Sequence, residues 1–510
     1  MSSRANASPG SAGDDARRDR ATALGMAAIA LLFFLKTATL AFFVTPLWDV
    51  PDESGHVAYV LDLADGRGLP VYGRTPLPPE VLAHWSAEGA AVPPFNWVAQ
   101  HPPVYHALAA TFVLAARAVT GDEAIRLRSP RLLSVLAATL ALIVLFRLLA
   151  EGTGDPSFAL AAAGAVSFVP MYGHLASGTH NEPLLALGGA LVGLAWVRLV
   201  RTGSFSDAMR AGAALAFAGG IKLTALPVAA ALLTLLPRYL RAPSARAKAG
   251  RWLLVAAVAL AVPVLWLARN RVTAGHPLVY AAPESFHPGR LARLLAVEPV
   301  ADHTVKNFLG LIGWMGNGTL RWFQISGAYL AAYLFAALLA AGAAAAWLWK
   351  DVGSLRPAPR LFVRLLPIAA FTAALAPALR APVHGAAKQL LYALLLAVPF
   401  FGAALLFERS DTSRELLRSA QGVILVFLAA YFWNLWRGHA IYGQFRAVHG
   451  RYFFAILPFL MLGVGYPAVR AWSPGPRRDA ALAALVALLA VAETAFLVAK
   501  VIPFYRASTA

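Results

Sequence analysis

Long apolar runs dominate this chain, and they decide which solvent it can fold in. Apolar stretches lie near 22–45, 127–150, 157–174, 182–201, 250–268, 324–349, 361–380, 386–407, 416–436, 452–472 and 479–502. About 20 apolar residues in a helix cross the roughly 30 Å hydrocarbon core of a bilayer, and inside that core only a helix or a closed barrel satisfies its own backbone. One further stretch, 207–240, is too long for a single span. Gly219-Gly220-Ile221-Lys222 interrupts it, which predicts two short helices meeting at the outer face. The expected fold is an all-α polytopic membrane protein with about 13 transmembrane helices and interfacial helices in a large first outer loop. Composition agrees. Apolar residues make up 59% of the 510 and charged residues 14%, against roughly 45–50% and 25% in soluble domains. So few charges cannot cover a soluble protein of this size, so a soluble enzyme, a disordered chain and a fibrous repeat are all excluded.

Lys and Arg number 44 against 25 Asp and Glu, a formal charge of +19. Most of the basic residues sit in short connections between apolar runs, which is the positive-inside pattern and not a nucleic-acid footprint. No nucleic-acid partner is expected. The chain has no cysteine, so it has no disulfide framework, thiol nucleophile or Cys-based metal site. Residues 1–20 are small and polar, with Arg17, Arg18 and Arg20 just ahead of the first run, and are expected to be a disordered cytoplasmic N-terminus. The run that follows is too long for a signal-peptide core and is read as a retained first span.

The stretch 102–118 decides the sidedness. It opens with Pro102-Pro103 and is short. If it lies in the interface, the clusters Arg198/Arg201, Arg238–Arg251, Lys350–Arg364, Arg409–Arg418 and Arg477/Arg478 all face the cytoplasm. Arg126, Arg128 and Arg131 then fall outside, against the trend. Large outer loops follow at 46–126 and 269–323, with a short aromatic-rich one at 437–451. The chain divides into a transmembrane module over 21–268, the second outer loop 269–323, and C-terminal transmembrane helices over 324–510. The site is expected on the outer face of a cytoplasmic (inner) membrane.

The first outer loop carries the most chemistry. Between 46 and 100 it holds seven acids (Asp49, Asp52, Glu53, Asp62, Asp65, Glu80, Glu88) and two basic residues, Arg67 and Arg74. After Pro51 a helix is expected, because Val57, Val60, Leu61 and Ala64 recur with helical spacing. Asp52 and Glu53 fall in its first turn, with His56 one turn further on. A helix N-terminus favours an ionised carboxylate, as a general base requires. Asp52 read blandly is an N-cap.

Several motifs together resemble the GT-C superfamily of polytopic membrane glycosyltransferases. Pro51-Asp52-Glu53 with His56, Leu69-Pro70-Val71 and Gln100-His101-Pro102-Pro103-Val104-Tyr105 match the first outer loop. Ser177-Gly178-Thr179-His180-Asn181-Glu182-Pro183 matches a second acidic loop, and Ile221-Lys222-Leu223-Thr224 a lysine-bearing junction. Arg269-Asn270 with Gly275-His276-Pro277-Leu278, and Gly450-Arg451-Tyr452, complete the set. Members such as protein O-mannosyltransferases and lipid A aminoarabinose transferases use polyprenyl-phosphate-linked sugars. The resemblance implies that Asp52 is the base or acceptor-orienting carboxylate, supported by Glu53. It implies donor-phosphate contacts from Arg269, Arg451, Lys222 and His101, where aminoarabinose transferases carry lysine in place of His101. Substrate contacts are expected from His56, Asn181, Glu182 and Tyr105.

The implied reaction moves a sugar from a polyprenyl-phosphate donor to a hydroxyl of a glycan, lipid or protein acceptor, with inversion favoured. No cofactor is required. A divalent metal is not favoured, because no His-Glu-x-x-His is present; Asp52, His56 and Glu182 are the ligands it would have. No P-loop and no strand-bounded Gly-x-Gly-x-x-Gly occurs, so nucleotide-driven chemistry is not expected. Two alternatives share the lipid-linked sugar: a transporter or flippase, and a polymerase or ligase.

Overall fold

The structure is a computed structural model, and it describes residues 9–85, 94–229, 245–278, 287, 300–312, 323–325, 369, 412–443, 449–470 and 472–509. Helices over these residues are α1 (Pro9–Thr39), α2 (Glu53–Ala64), α3 (Pro79–Trp85), α4 (Val104–Val119), α5 (Glu123–Arg128), α6 (Arg131–Thr153), α7 (Pro156–Ser167), α8 (Pro170–Ala176), α9 (Glu182–Thr202) and α10 (Phe205–Ile221). They continue with α11 (Ala245–Ala274), α12 (Val300–Leu309), α13 (Thr412–Tyr442), α14 (Gly450–Arg470) and α15 (Pro476–Ala507), the last two including 3₁₀ and π turns. A two-residue antiparallel ladder pairs Leu311 with Gln324 and Ile312 with Phe323. Among the described residues, seven helices are long and apolar enough to cross a membrane, or eight if the bent pair α7–α8 is one span. Apart from residues 324, 325 and 369, the expected spans 324–349, 361–380 and 386–407 lie outside the described residues.

α9 is the axis of the bundle. It packs against α6, α10 and the start of α14, and 89% of its most apolar window is buried inside the protein, against 22% for α1, α11 and α15. The outer three therefore leave most of their apolar surface for lipid. Gly189 makes one of these contacts possible, since a Cβ there would overlap the Ala455 carbonyl.

Three elements differ from the sequence expectation. α1 starts at Pro9, inside the stretch expected to lack structure, because extending an established helix fixes one residue per added hydrogen bond and avoids a new nucleation. The expected span 157–174 is broken: α7 and α8 meet at 68° around Phe168-Val169-Pro170. Pro170 has no N–H to continue the ladder, and Pro disfavours helical geometry at the residue before it. α11 runs on to Ala274, so Arg269 sits on a helix and not at the start of a loop.

The Lys222 junction forms as expected in its first half. α10 stops at Ile221, Lys222 is extended (φ −159°, ψ 134°), and a 3₁₀ turn over Leu223–Ala229 follows. α4 is 16 residues long. At 1.5 Å per residue it is shorter than the roughly 20 residues a full crossing needs.

Candidate active site

Two residues just after the first apolar helix depart from ordinary backbone geometry: Trp48 (φ 73°) and Asp52 (φ 60°). Left-handed conformations cost little for Asp but are strained for a bulky residue such as Trp, and such strain gathers at functional sites. Asp52 holds the N-cap position of α2, yet its side chain makes no capping bond. Its Oδ1 accepts instead from Trp97 Nε1 at 3.0 Å, and its Oδ2 from Arg451 Nη2 at 2.7 Å.

Glu53, the next residue, faces the other way. Its carboxylate accepts from Arg131 Nε (2.7 Å) and Nη2 (2.8 Å), Trp48 N (2.9 Å) and Thr179 N (2.8 Å). Arg131 also donates to the carbonyls of Ala41, Thr45 and Pro46. Every acceptor site of Glu53 is thus occupied by protein, which suits a residue that supports the loop. Arg131 is thus a wholly buried partner and not a solvated loop charge. Gly178 belongs to the same joint, since a Cβ there would overlap Val50.

Arg451 reaches Asp52 from the first turn of α14. Its neighbour Gly450 lies so close to α12 that a side chain would overlap the backbone of Thr304 and Phe308. Arg451 Nε is 3.9 Å from Glu182 Oε1, and that oxygen accepts from Lys222 Nζ at 2.6 Å. The charges alternate: Asp52, Arg451, Glu182, Lys222. Glu182 sits at the N-terminus of α9 and Lys222 just past the C-terminus of α10, so each helix dipole favours the charge placed there. Lys222 Nζ also lies 4.7 Å from the Tyr452 ring centre.

Histidines fill the flank. His180 Nδ1 is 2.9 Å from Glu182 Oε2. The His56 ring centre is 4.7 Å from that of His180 and 6.1 Å from that of His101, and His56 Nδ1 is 3.0 Å from His106 Nε2. The Tyr105 ring centre is 5.9 Å from that of His56, and its hydroxyl is 2.9 Å from the Ser134 hydroxyl.

Burial tends to raise the Asp52 carboxyl, but the Arg451 guanidinium, His180, His449 and the Trp97 indole outweigh it and hold it at about 2. Burial, with His180, His106, His101 and Lys222 nearby, drives His56 well below its ordinary value. Burial and Lys222 do the same to His101. Burial is also the main cause at His180, where it prevails over the opposing pull of Glu182.

Several polar atoms here lack partners among the described residues. They are Arg451 Nε and Nη1, both side-chain atoms of Asn181, and His180 Nε2. Asn181 is fully buried. A buried polar group without a partner costs about 1–3 kcal/mol, and a ligand that supplies the missing atoms removes that cost.

Asp52, Arg451, Glu182, Lys222, His56, His101 and Asn181 thus gather at one locus. Arg269 does not join their hydrogen bonds. Its Nη2 donates to the Leu69 and Pro70 carbonyls (2.9 and 3.0 Å), and its guanidinium lies 4.6 Å from the Trp266 ring centre, tying α11 to the first loop. Among the described residues no group of three or more His, Asp or Glu is placed to hold a metal. Trp97, Arg131 and His106 were not singled out as site residues from the sequence, because nothing local marks an indole, an arginine or a histidine as the partner of a group far along the chain.

Residues 100–267 match the family described as dolichyl-phosphate-mannose-protein mannosyltransferase. No curated protein matches the chain. Among solved structures, ArnT from Cupriavidus metallidurans bound to undecaprenyl phosphate is similar at 14% identity and a TM-score of 0.41, covering 95% of this chain and 77% of that one. The Archaeoglobus fulgidus oligosaccharyltransferase in complex with zinc and sulfate is similar at 15% identity and a TM-score of 0.40, over 94% of this chain and 52% of that one. Arabinosyltransferase EmbB from Mycobacterium smegmatis follows at 14% identity and 0.33, over 90% and 42%. The matched residues 100–267 hold the His101–Tyr105, Ser177–Glu182 and Lys222 motifs, and over that stretch the chain is similar to the dolichyl-phosphate-mannose-protein mannosyltransferase family.

Proposed function

We propose that this protein transfers a sugar from a polyprenyl-phosphate donor to an acceptor hydroxyl at the outer face of a cytoplasmic membrane, with its N-terminus in the cytoplasm. The observation that carries the reading is the Asp52 side chain. It leaves the cap position it could fill and turns to a guanidinium with two nitrogens that are unpartnered among the described residues. A purely capping aspartate would bond the first turn of α2.

Asp52 takes the proton of the acceptor hydroxyl. The hydroxyl oxygen bonds to the anomeric carbon as the bond from that carbon to the phosphate oxygen breaks. The electron pair leaves on the phosphate, where Arg451 and Lys222 stabilise the charge. Arg451 offers a planar fork suited to phosphate oxygens and Lys222 a point charge. Asn181 and His56 lie beside these groups and contact the sugar. Glu53 keeps the loop in shape, and Arg269 holds the first loop against α11. No metal takes part in this scheme.

The test is turnover of Asp52→Asn with a polyprenyl-phosphate sugar, with donor binding checked in parallel. Loss of a general base lowers the rate by roughly 10²–10⁴. Unchanged turnover removes Asp52 from the chemistry. Donor movement across a bilayer without any sugar transfer by wild type favours a flippase.

A further inference from the structure

We infer that Arg451 restrains Asp52 in the resting protein, and that a phosphate group drawing the guanidinium onto itself is what frees the carboxylate for proton transfer. The inference rests on the donor chemistry proposed above and adds a regulatory step to the same site.

The geometry supports an exchange of partners. Only Nη2 of Arg451 is bound to Asp52, at 2.7 Å, while Nε and Nη1 have no partner among the described residues. Nε stands 3.9 Å from Glu182 Oε1, beyond hydrogen-bond range. A guanidinium carries five N–H donors in one plane and binds phosphate oxygens two at a time. The resting contact with Asp52 therefore uses a small part of what Arg451 can offer, and an incoming phosphate can offer more acceptors than the carboxylate does.

The two partners are anchored unequally. Arg451 is held at its backbone, where its N–H points at Asn307 Oδ1 (3.5 Å) and Gly450 is pressed onto α12. Its side chain is 3% exposed, against 26% for Asp52. Asp52 has no cap to maintain and keeps its bond from Trp97 Nε1 after Arg451 moves away. The carboxylate is thus held in place without its salt bridge. Once Arg451 turns to phosphate, the chief influence holding the Asp52 carboxyl low is gone and burial raises its proton affinity. A carboxylate paired with arginine is a poor base, and one released from it is a better one. Without donor present, the acceptor's proton is not withdrawn.

An internal competitor lowers the apparent affinity of a ligand by the fraction of sites it leaves open. Removing the Asp52 charge should therefore tighten phosphate binding. The measurement is binding of a polyprenyl monophosphate to the purified full-length protein in detergent, with the neutral polyprenol as a control for the tail. We expect Asp52→Asn to bind the monophosphate roughly 5- to 20-fold more tightly than wild type. The polyprenol should bind both proteins equally. Asp52→Glu, which keeps the charge, should behave as wild type, and adding Arg451→Ala should abolish the gain. Asp52→Ser serves the same purpose if the asparagine variant does not fold. Equal or weaker monophosphate binding by a folded, uncharged variant overturns the inference and leaves the transferase reading standing. Absence of monophosphate binding by every variant, wild type included, overturns both.

Discussion

Arg131 Nε lies 2.7 Å from Glu53 Oε1 and its Nη2 lies 2.8 Å from Oε2, with neither side chain exposed to solvent. This pair joins the start of α6 to the start of α2 and sets the turn from which Asp52 projects. Removing one member of a buried pair strands the other charge and typically costs about 3–5 kcal/mol. Glu53→Gln should therefore lower the thermal midpoint in detergent, and Glu53→Gln with Arg131→Met should recover part of the loss. Turnover per folded molecule should fall far less than in Asp52→Asn. A Glu53→Gln protein of full stability that has lost its turnover would make Glu53 a chemical group and not a support.

A second pair, with Glu493 buried and Lys36 half-buried, joins the first described helix to the last. Lys36 Nζ on α1 donates to both carboxylate oxygens of Glu493 on α15, at 2.8 and 2.7 Å, and to the Ser167 carbonyl at 2.6 Å. Ser167 is the last residue of α7, so the pair closes over the break before α8. Lys36→Met or Glu493→Leu alone should each destabilise by roughly 2–4 kcal/mol, and the double variant should cost less than their sum. Strict additivity in a thermal-unfolding cycle would mean that the two charges do not support each other.

Acid should weaken the fold near the site before it affects Asp52. Burial lowers His56, His101 and His180, and lowers His106 and His449 to about 3. An unfolded histidine titrates near roughly 6.5. Below that pH the unfolded chain takes up protons that the folded site refuses, so stability falls as pH drops, by up to about 1.4 kcal/mol per pH unit for each such histidine. Asp52 is held at about 2, so its own contribution is present above the unfolded carboxylate value and is lost only at much lower pH. Thermal midpoints measured between pH 8 and pH 5.5 should decline, and the slope should be shallower in His56→Gln. A midpoint that rises on acidification would contradict the burial of neutral histidines.

Sidedness can be read with single cysteines, because the chain has none of its own. Arg74 and Gly121 flank α4 and both are exposed. If α4 stays in the interface, an impermeant thiol reagent applied to intact cells should label Arg74→Cys and Gly121→Cys alike. Labelling of Arg74→Cys alone would make α4 a crossing helix and reverse the sides assigned between it and residue 207.

Much of the architecture was legible in the chain because hydrophobic length is a local property. The run 182–201 became Glu182–Thr202, and 479–502 lies within Pro476–Ala507. The break at Pro170 was harder to see. Phe168, Val169 and Pro170 are as apolar as their surroundings, so hydropathy reads straight through a bend that one absent N–H introduces. The contacts of Arg269 were hidden for a related reason. Its place at the end of an apolar run suits a phosphate ligand as well as a strut, and its bonds to the Leu69 and Pro70 carbonyls arise only in the folded chain.

By itself the sequence determined the solvent, most of the described span limits and the identity of the first-loop carboxylates, since each depends on residues adjacent along the chain. The tertiary structure alone decided which partners Asp52 and Glu53 meet. A left-handed turn at Asp52 sends two neighbouring carboxylates in opposite directions, one to Arg131 and one to Arg451, 399 residues away in the chain. The force between charges depends on separation in space and on the water excluded from between them, and neither is a property of the order in which residues are joined.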